Sequence, residues 1–303
     1  MTHGEKNARV GISLLAYNQG DYVDAAIQAL KKQTYQDFEI FLVDDASDDG
    51  KTTEKLKKIN YDKITKKFFF RENLGSAARR LEQYKSMKNE YFLDLCADDI
   101  LAPEFLEKTV RFLDEHQDYG AVSVNIRLFR EEISDYYSEH KFDEKKMILP
   151  FELARNQVLG SSLERRQAIL DAKLDGEMMR YNDWERWISM MEAGWKIGLV
   201  PEFLFYYRQV DTSLSHSASI KDEMEIREKL LKKHAKSYQK YYKEVIINME
   251  QAFLEVLDGK NWLEKQYENM GREIERLKKE NEELKNRTIK EMIKQRIRSR
   301  NEK

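Results

Sequence analysis

Up to about residue 125 the chain alternates short apolar, β-rich segments with amphipathic ones, which restricts its fold to strands joined through helices. The strands are predicted at Val10 to Ala16, Phe38 to Val43, Lys67 to Phe70, Tyr91 to Cys96 and Ala121 to Asn125. Between the first two, Asp21 is expected to cap a helix in which Val23, Ala26, Ile27 and Leu30 recur at helical spacing. Further helices are expected near Lys51 to Ile59 and Ser76 to Met87, and a fourth is expected to open at Pro103. Such βαβ units imply an α/β class with parallel pairing, the layout of a nucleotide-binding domain.

Three acidic sites punctuate that alternation. Asp44-Asp45 end the run FEIFLVDD, Asp98-Asp99 follow YFLDLC, and Asp183 lies in YNDWERW. Ligands of open α/β sheets bind outside the carboxyl ends of the strands, so the first two pairs are expected to face a crevice. Tyr17, directly after the first strand, offers a ring for stacking on a base or simply a packed rim residue. Asp45 can accept a hydrogen bond from the ring N–H of uracil or thymine. Alternatively DDASDD is a helix-capping cluster, with Asp48 or Ser47 as the cap. In NLGSAARR, Gly75 allows a tight turn into a helix that carries Arg79, a start able to face phosphate oxygens and common in any α/β protein. Adjacent carboxylates at the exit of a buried strand call for a cation, and a divalent hard ion shared with substrate phosphates would supply it. The alternative is that Asp98 caps the helix near Pro103.

Composition bounds the rest. The 303 residues suffice for one large domain or two smaller ones, yet 36% are charged and mean hydropathy is −0.77, so only part can build a sizeable core. Net charge is −2 and the isoelectric point about 6.3, so no global field recruits nucleic acid, which is not an expected partner. Cys96 is the sole cysteine, which excludes an internal disulfide. No apolar run reaches 18 residues and MTHGEKNAR has no apolar leader, so a cytoplasmic location is expected.

From about 126 to 217 the pattern loosens. EEISDYYSEHKFDEKK reads as a surface loop, Trp184, Trp187, Ile188 and Met191 as a helical stripe, and KIGLVPEFLFYYR as a strand. Trp184 and Trp187 offer stacking faces to a ligand or, more simply, that helix's buried side. Beyond Ser217 almost everything reads as helix. Leu263, Met270, Leu277 and Leu284 repeat at one heptad core position and Tyr267, Ile274, Asn281 and Thr288 at the other, which predicts a coiled coil and a homodimer. The alternative is one solvated helix packing back on the domain. Ile289, Met292, Ile293 and Ile297, set among Lys290, Lys294, Arg296, Arg298 and Arg300, form a basic amphipathic tail suited to an anionic membrane surface or to a frayed helix end. Three regions result: a domain over 1–217, a helical extension over 218–262 and a coiled-coil helix with a basic tail over 263–303.

Taken together, VGISLLAYNQGDYVDAAIQALKKQTYQDFEIFLVDDASDDG, NLGSAAR, FLDLCADDILAPEFLEK and YNDWERW followed by KIGLVPEFLFYYR and SLS resemble the inverting family 2 glycosyltransferases of GT-A fold, over about residues 9 to 217. That resemblance implies a Rossmann-like, mostly parallel sheet and transfer of a sugar from a nucleotide-diphosphate donor with Mn2+ or Mg2+. It gives Tyr17 the base-stacking role, Asp45 the uracil or thymine edge, Arg79 a basic contact near the nucleotide, Asp98 and Asp99 the ribose and metal, and Asp183 the acceptor-side general base. Asp99 is the first choice as metal ligand. Two departures stand out: Cys96-Ala97-Asp98-Asp99 where many members read Asp-x-Asp-Asp, and Arg208-Gln209-Val210 where Arg-x-His is common. His216 is the available substitute for the missing histidine. The acceptors implied are a lipid-linked glycan, a surface polymer or a protein, with the enzyme in the cytoplasm or peripheral at the inner face of the membrane. The competing expectation is a scaffold that has lost catalysis and dimerises through its C-terminal helices; a nucleotidyltransferase would need a Gly-rich basic loop after the first strand, which the sequence lacks.

Overall fold

Residues 7–301 are described in the computed structural model, apart from 175, 177, 179, 180 and 211–218; at 281 and 284–301 only the backbone is described. In chain order the first half contains β1 (Val10–Ala16), α1 (Val23–Lys31), β2 (Phe38–Asp44), α2 (Thr52–Lys58), β3 (Ile64–Phe69), α3 (Gly75–Ser86), β4 (Tyr91–Cys96), β5 (Ile100–Leu101), α4 (Phe105–Glu115) and β6 (Tyr119–Phe129). The remainder contains β7 (Ser138–His140), α5 (Leu149–Ala154), β8 (Leu163–Arg165), α6 (Arg166–Ala172), α7 (Asn182–Glu192), β9 (Lys196–Arg208), α8 (Ile220–Lys233), α9 (Ala235–Lys240) and α10 (Tyr242–Asn301). β1, β4 and β9 occupy the predicted segments, whereas β3 begins three residues earlier and β6 runs longer at both ends.

The strands form one sheet of order β3-β2-β1-β4-β8-β6-β9-β5, with β7 beside β6. The first four are parallel, as the βαβ pattern predicts. The sheet is nevertheless mixed, because β8 runs antiparallel to both β4 and β6 and β5 antiparallel to β9. Strand order reverses at β1, with β2 on one side and β4 on the other, and this is where an α/β sheet opens its crevice.

Side chains alternate across β4 and fill two layers. Leu93 and Leu95 join Ile12, Val23, Leu30 and Phe105 on one face, while Phe92 packs with Tyr84 and Trp187 on the other. Helices on both faces explain why the central strands are apolar throughout rather than half polar. Several helix starts differ from expectation. Tyr22 precedes α1 without a side-chain cap, and Asp21 instead pairs with Lys51. α4 starts at Phe105 after Glu104, and the Pro103 carbonyl accepts the Thr34 amide at 2.8 Å, so neither Pro103 nor Asp98 opens that helix. At α2 it is Asp49 that takes the Lys51 and Thr52 amides, at 3.1 and 2.9 Å; Ser47 and Asp48 bond to Asn18.

The Phe92 face also buries charge. Asp94 accepts from Arg80 Nε at 2.7 Å, and Arg80 reaches on to Asn182 at the start of α7. Beside this, Arg186 Nη1 lies 3.0 Å from Glu164 Oε1 and donates to Tyr84 at 2.8 Å. The Arg80–Asp94 ion pair therefore joins α3 to β4, and the buried Arg186–Glu164 contact, an ion pair once Glu164 ionises, joins α7 to β8. Burial raises the Glu164 carboxyl to about 7 against the opposing pull of Arg186. Glu152 in α5, fully buried, is pushed well above the carboxylate range by its own burial; its Oε2 accepts the Gln157 amide at 2.9 Å while Oε1 has no partner among the described residues.

Ile226, Leu230 and Val245 pack with Leu153, Trp184 and Ile188, so the first compact unit extends through Ile246. The second unit, Ile247–Lys303, consists among its described residues of the rest of α10. No helix among the described residues is long and apolar enough to cross a membrane.

Removing one member of a buried pair strands the other, at a cost of about 3–5 kcal/mol. Arg80→Met is expected to lose that much stability in urea denaturation, and Arg80→Met with Asp94→Leu to recover most of it. A single variant no less stable than the double would contradict the assignment. Glu152 and Glu164 hold protons in the native chain that unfolded glutamates, near 4.5, have released. Stability is therefore expected to fall as pH rises from 4.5 through about 7. Urea midpoints should drop across that window, and Glu152→Gln should shrink the drop; an undiminished drop in the variant would exclude Glu152 as a source.

Candidate active site

β2, β1 and β4 are adjacent and parallel, so their carboxyl ends form one rim. The loops there are tied to each other: the Asp45 amide donates to Ala16 O at 3.0 Å and the Ala97 amide to Leu15 O at 2.9 Å. Tyr17, 40% exposed, projects from this rim with its hydroxyl 3.5 Å from Asp48. Asn18, Ala46 and Tyr181 adopt positive φ of 56°, 62° and 52°, three of the four non-glycine residues that do so among those described. Such conformations persist only where surrounding contacts enforce them, and they concentrate at working sites.

Asp45 and Arg79, expected separately at the nucleotide, are bound first to each other. Arg79 Nε donates to Asp45 Oδ1 at 2.6 Å, its guanidinium lies over the Phe70 ring at 3.5 Å, and both side chains are almost fully buried. Asp45 also accepts the Leu74 and Gly75 amides at 3.2 and 2.8 Å. The α3 N-terminus, expected to face phosphate, thus faces this carboxylate, an arrangement that suits the helix dipole. Gly75 makes the approach possible with φ of +80°. Three of roughly four acceptor positions on Asp45 are used.

The middle pair is close-set. Oxygens of Asp98 and Asp99 and the sulfur of Cys96 all lie within 4.8 Å of one another. Burial, and for Asp99 the neighbouring Asp98 charge as well, pushes both carboxyls upward. Arg208, the last residue of β9, partly balances them: its amide donates to Asp99 Oδ1 at 3.1 Å and its Nε to Asp98 O at 3.0 Å. Its Nη1 is held by the Arg130 and Glu131 carbonyls at 2.6 and 2.9 Å. Two buried carboxylate groups with raised proton affinity are a donor set suited to a hard divalent ion. Burial keeps the Cys96 thiol protonated, and sulfur suits softer metals, so the oxygens of Asp98 and Asp99 are the fitting donors. His216 lies outside the described residues.

Asp183 stands in the first turn of α7, launched by the left-handed Tyr181. Its Oδ2 accepts from Asn156 Nδ2 at 2.9 Å, and Gly160 sits so close that a β-carbon there would lie 3.3 Å from the same oxygen. Asn182 next to it is gripped by α3, donating to Ser76 Oγ at 3.2 Å and accepting from Arg80. Trp184 and Trp187 are buried, with Trp184 Nε1 bonded to Glu152 O, so they form the helix's inner stripe and offer no sugar face.

Arg80, Asp94 and Asn156 are the site residues that sequence reasoning passed over. Asp94 was signalled by a carboxylate inside the apolar run YFLDLC, which demands a buried cation. Arg208 was named for the histidine missing after it, and its contacts with Asp98 and Asp99 were not foreseen. Asn156 carried no signal, because its partner lies 27 residues away in sequence, beyond β8 and α6.

The sequence profile described as Glycosyl transferase family 2 matches residues 12–171. A Bacillus subtilis protein named as a candidate teichuronic acid biosynthesis glycosyltransferase, TuaG, is 25% identical over 215 residues, 68% of this chain and 81% of that protein. Among solved structures, Staphylococcus aureus TarS 1-349 in complex with UDP-GlcNAc matches with a TM-score of 0.59 at 18% identity, covering 73% of this chain and 65% of that one. The mannosyltransferase PcManGT from Pyrobaculum calidifontis, in complex with GDP-Man and Mn2+, matches with a TM-score of 0.53 at 16% identity, covering 82% and 76%. These likenesses share the GT-A-like fold, and the profile covers more than half of the sequence. The chain belongs to glycosyl transferase family 2.

Proposed function

We propose that the protein is an inverting, metal-assisted glycosyltransferase that moves a sugar from a UDP- or dTDP-sugar to an acceptor hydroxyl. Its main support is the shared rim: Tyr17, Asp45 and the Asp98-Asp99 pair follow three adjacent strands, and Arg80 binds both Asp94 below the pair and Asn182 beside Asp183.

Tyr17 stacks on the base, and the acceptor position left on Asp45 takes the base N–H while Arg79 and the α3 amides hold that carboxylate still. Asp98 serves the ribose and Asp99, helped by Asp98, holds Mn2+ or Mg2+. When bound, such an ion stabilises negative charge on the leaving diphosphate. Asp183 takes the proton from the acceptor hydroxyl, with Asn156 fixing one carboxylate oxygen so that the other faces the acceptor. The freed oxygen attacks the anomeric carbon opposite the departing diphosphate, and the configuration inverts.

The setting proposed is bacterial surface-glycan or protein glycosylation in the cytoplasm or at the inner face of the membrane, in keeping with what the Bacillus relative is named for. A second reading, a scaffold without catalysis, draws on one contact: the Arg208 amide already occupies an oxygen of Asp99.

In a screen of nucleotide-sugars, release of UDP or dTDP is expected only with Mn2+ or Mg2+ present. Asp183→Asn should lower kcat by about 10²–10⁴ while calorimetric UDP binding stays unchanged; retained turnover would remove Asp183 as base. Asp99→Asn is expected to abolish the metal response, and an unaltered response would remove Asp99 as ligand. Absence of UDP binding to the wild-type chain with Mn2+ would favour the scaffold.

A further inference from the structure

The apolar seam of α10 begins well before the heptads that the sequence pattern first suggests. Counting back from Leu263 in sevens gives Val256, Met249 and Tyr242, the helix's first residue. Counting back likewise from Tyr267 gives Lys260, Phe253 and Ile246. The ten apolar residues at these two positions from Tyr242 to Leu277 are 42 to 69% exposed. This row covers about 50 Å of helix at 1.5 Å per residue, far more unpartnered apolar surface than single exposed residues explain. Asn281 and Leu284 are next in register, followed by Thr288 and Glu291.

We infer that this face is covered by a second copy of the same chain in a parallel, in-register two-stranded coiled coil. Charge at the flanking positions selects the arrangement. With Ile274 at position a, Glu273 and Glu280 fall at g, and Lys278 and Lys285 fall at e. In a parallel pair each g residue meets the e residue five further along on the partner helix, which sets Glu273 against Lys278 and Glu280 against Lys285. An antiparallel pair sets g against g and e against e and forfeits both. Within one helix Glu273 and Lys278 engage Arg276 and Glu275, but such exposed pairs are worth little and exchange readily. Asn281 at an a position meets its own counterpart only when two chains are parallel and in register.

Sedimentation equilibrium of the full chain at micromolar concentration is expected to give twice 36.2 kDa, and Ile274→Glu with Leu277→Glu to give the single mass. Orientation is read from two separate variants, Leu263→Cys and Leu277→Cys, oxidised with the wild-type chain and its Cys96 as control. Both should cross-link to covalent dimers, since each d residue faces its own copy. A monomeric or trimeric wild-type mass overturns the proposal, as does cross-linking at only one position, which an antiparallel pair centred there would give.

Discussion

The buried pairing of Arg80 with Asp94 is the constraint on which the candidate site depends. A carboxylate in the middle of a buried strand is tolerated only with a cation beside it, and here the cation comes from the helix that packs over that strand. Because Arg80 also holds Asn182, the same side chain ties the strand leading to Asp98 and Asp99 to the helix carrying Asp183. Arg186 and Glu164 repeat the device one turn further along α7. The Asp98-Asp99 pair and Asp183, about 85 residues apart in sequence, are thereby referred to one rigid frame.

Around that frame the chain stores unfavourable local features. Ala46 and Tyr181 take left-handed backbone conformations, and Asp98 and Asp99 sit in surroundings that favour their protonated forms. Stable packing of the two apolar layers of the sheet holds these features in place. A cation bound between Asp98 and Asp99 would relieve the electrostatic part of that strain, so donor binding and local stability are coupled in the proposed mechanism.

Much of this was legible in the sequence because its signals are local. Hydrophobic runs marked β1, β2, β4 and β9, and strand ends marked Asp45, Asp98 and Asp99. The helical stripe of α7 was legible for the same reason. Helix caps were not, since Asp21 and Pro103 are attractive caps by residue type but are drawn into contacts with Lys51 and Thr34. The antiparallel β8 escaped notice because three residues, LER, carry no periodicity. Arg79 was placed at the right end of the sheet, but its partner Asp45 could not be named from a separation of 34 residues. The exposed seam upstream of Leu263 was obscured by Lys260 and by a broad scatter of other apolar residues, and it became visible once exposure was known.

The central claim is a single-displacement transfer with Asp183 as the only base. The most direct measurement is proton NMR of the first-formed product, reading the anomeric coupling of the transferred sugar against that of the donor. The account predicts the opposite configuration in the product, whereas a product that retains the donor's configuration would contradict it.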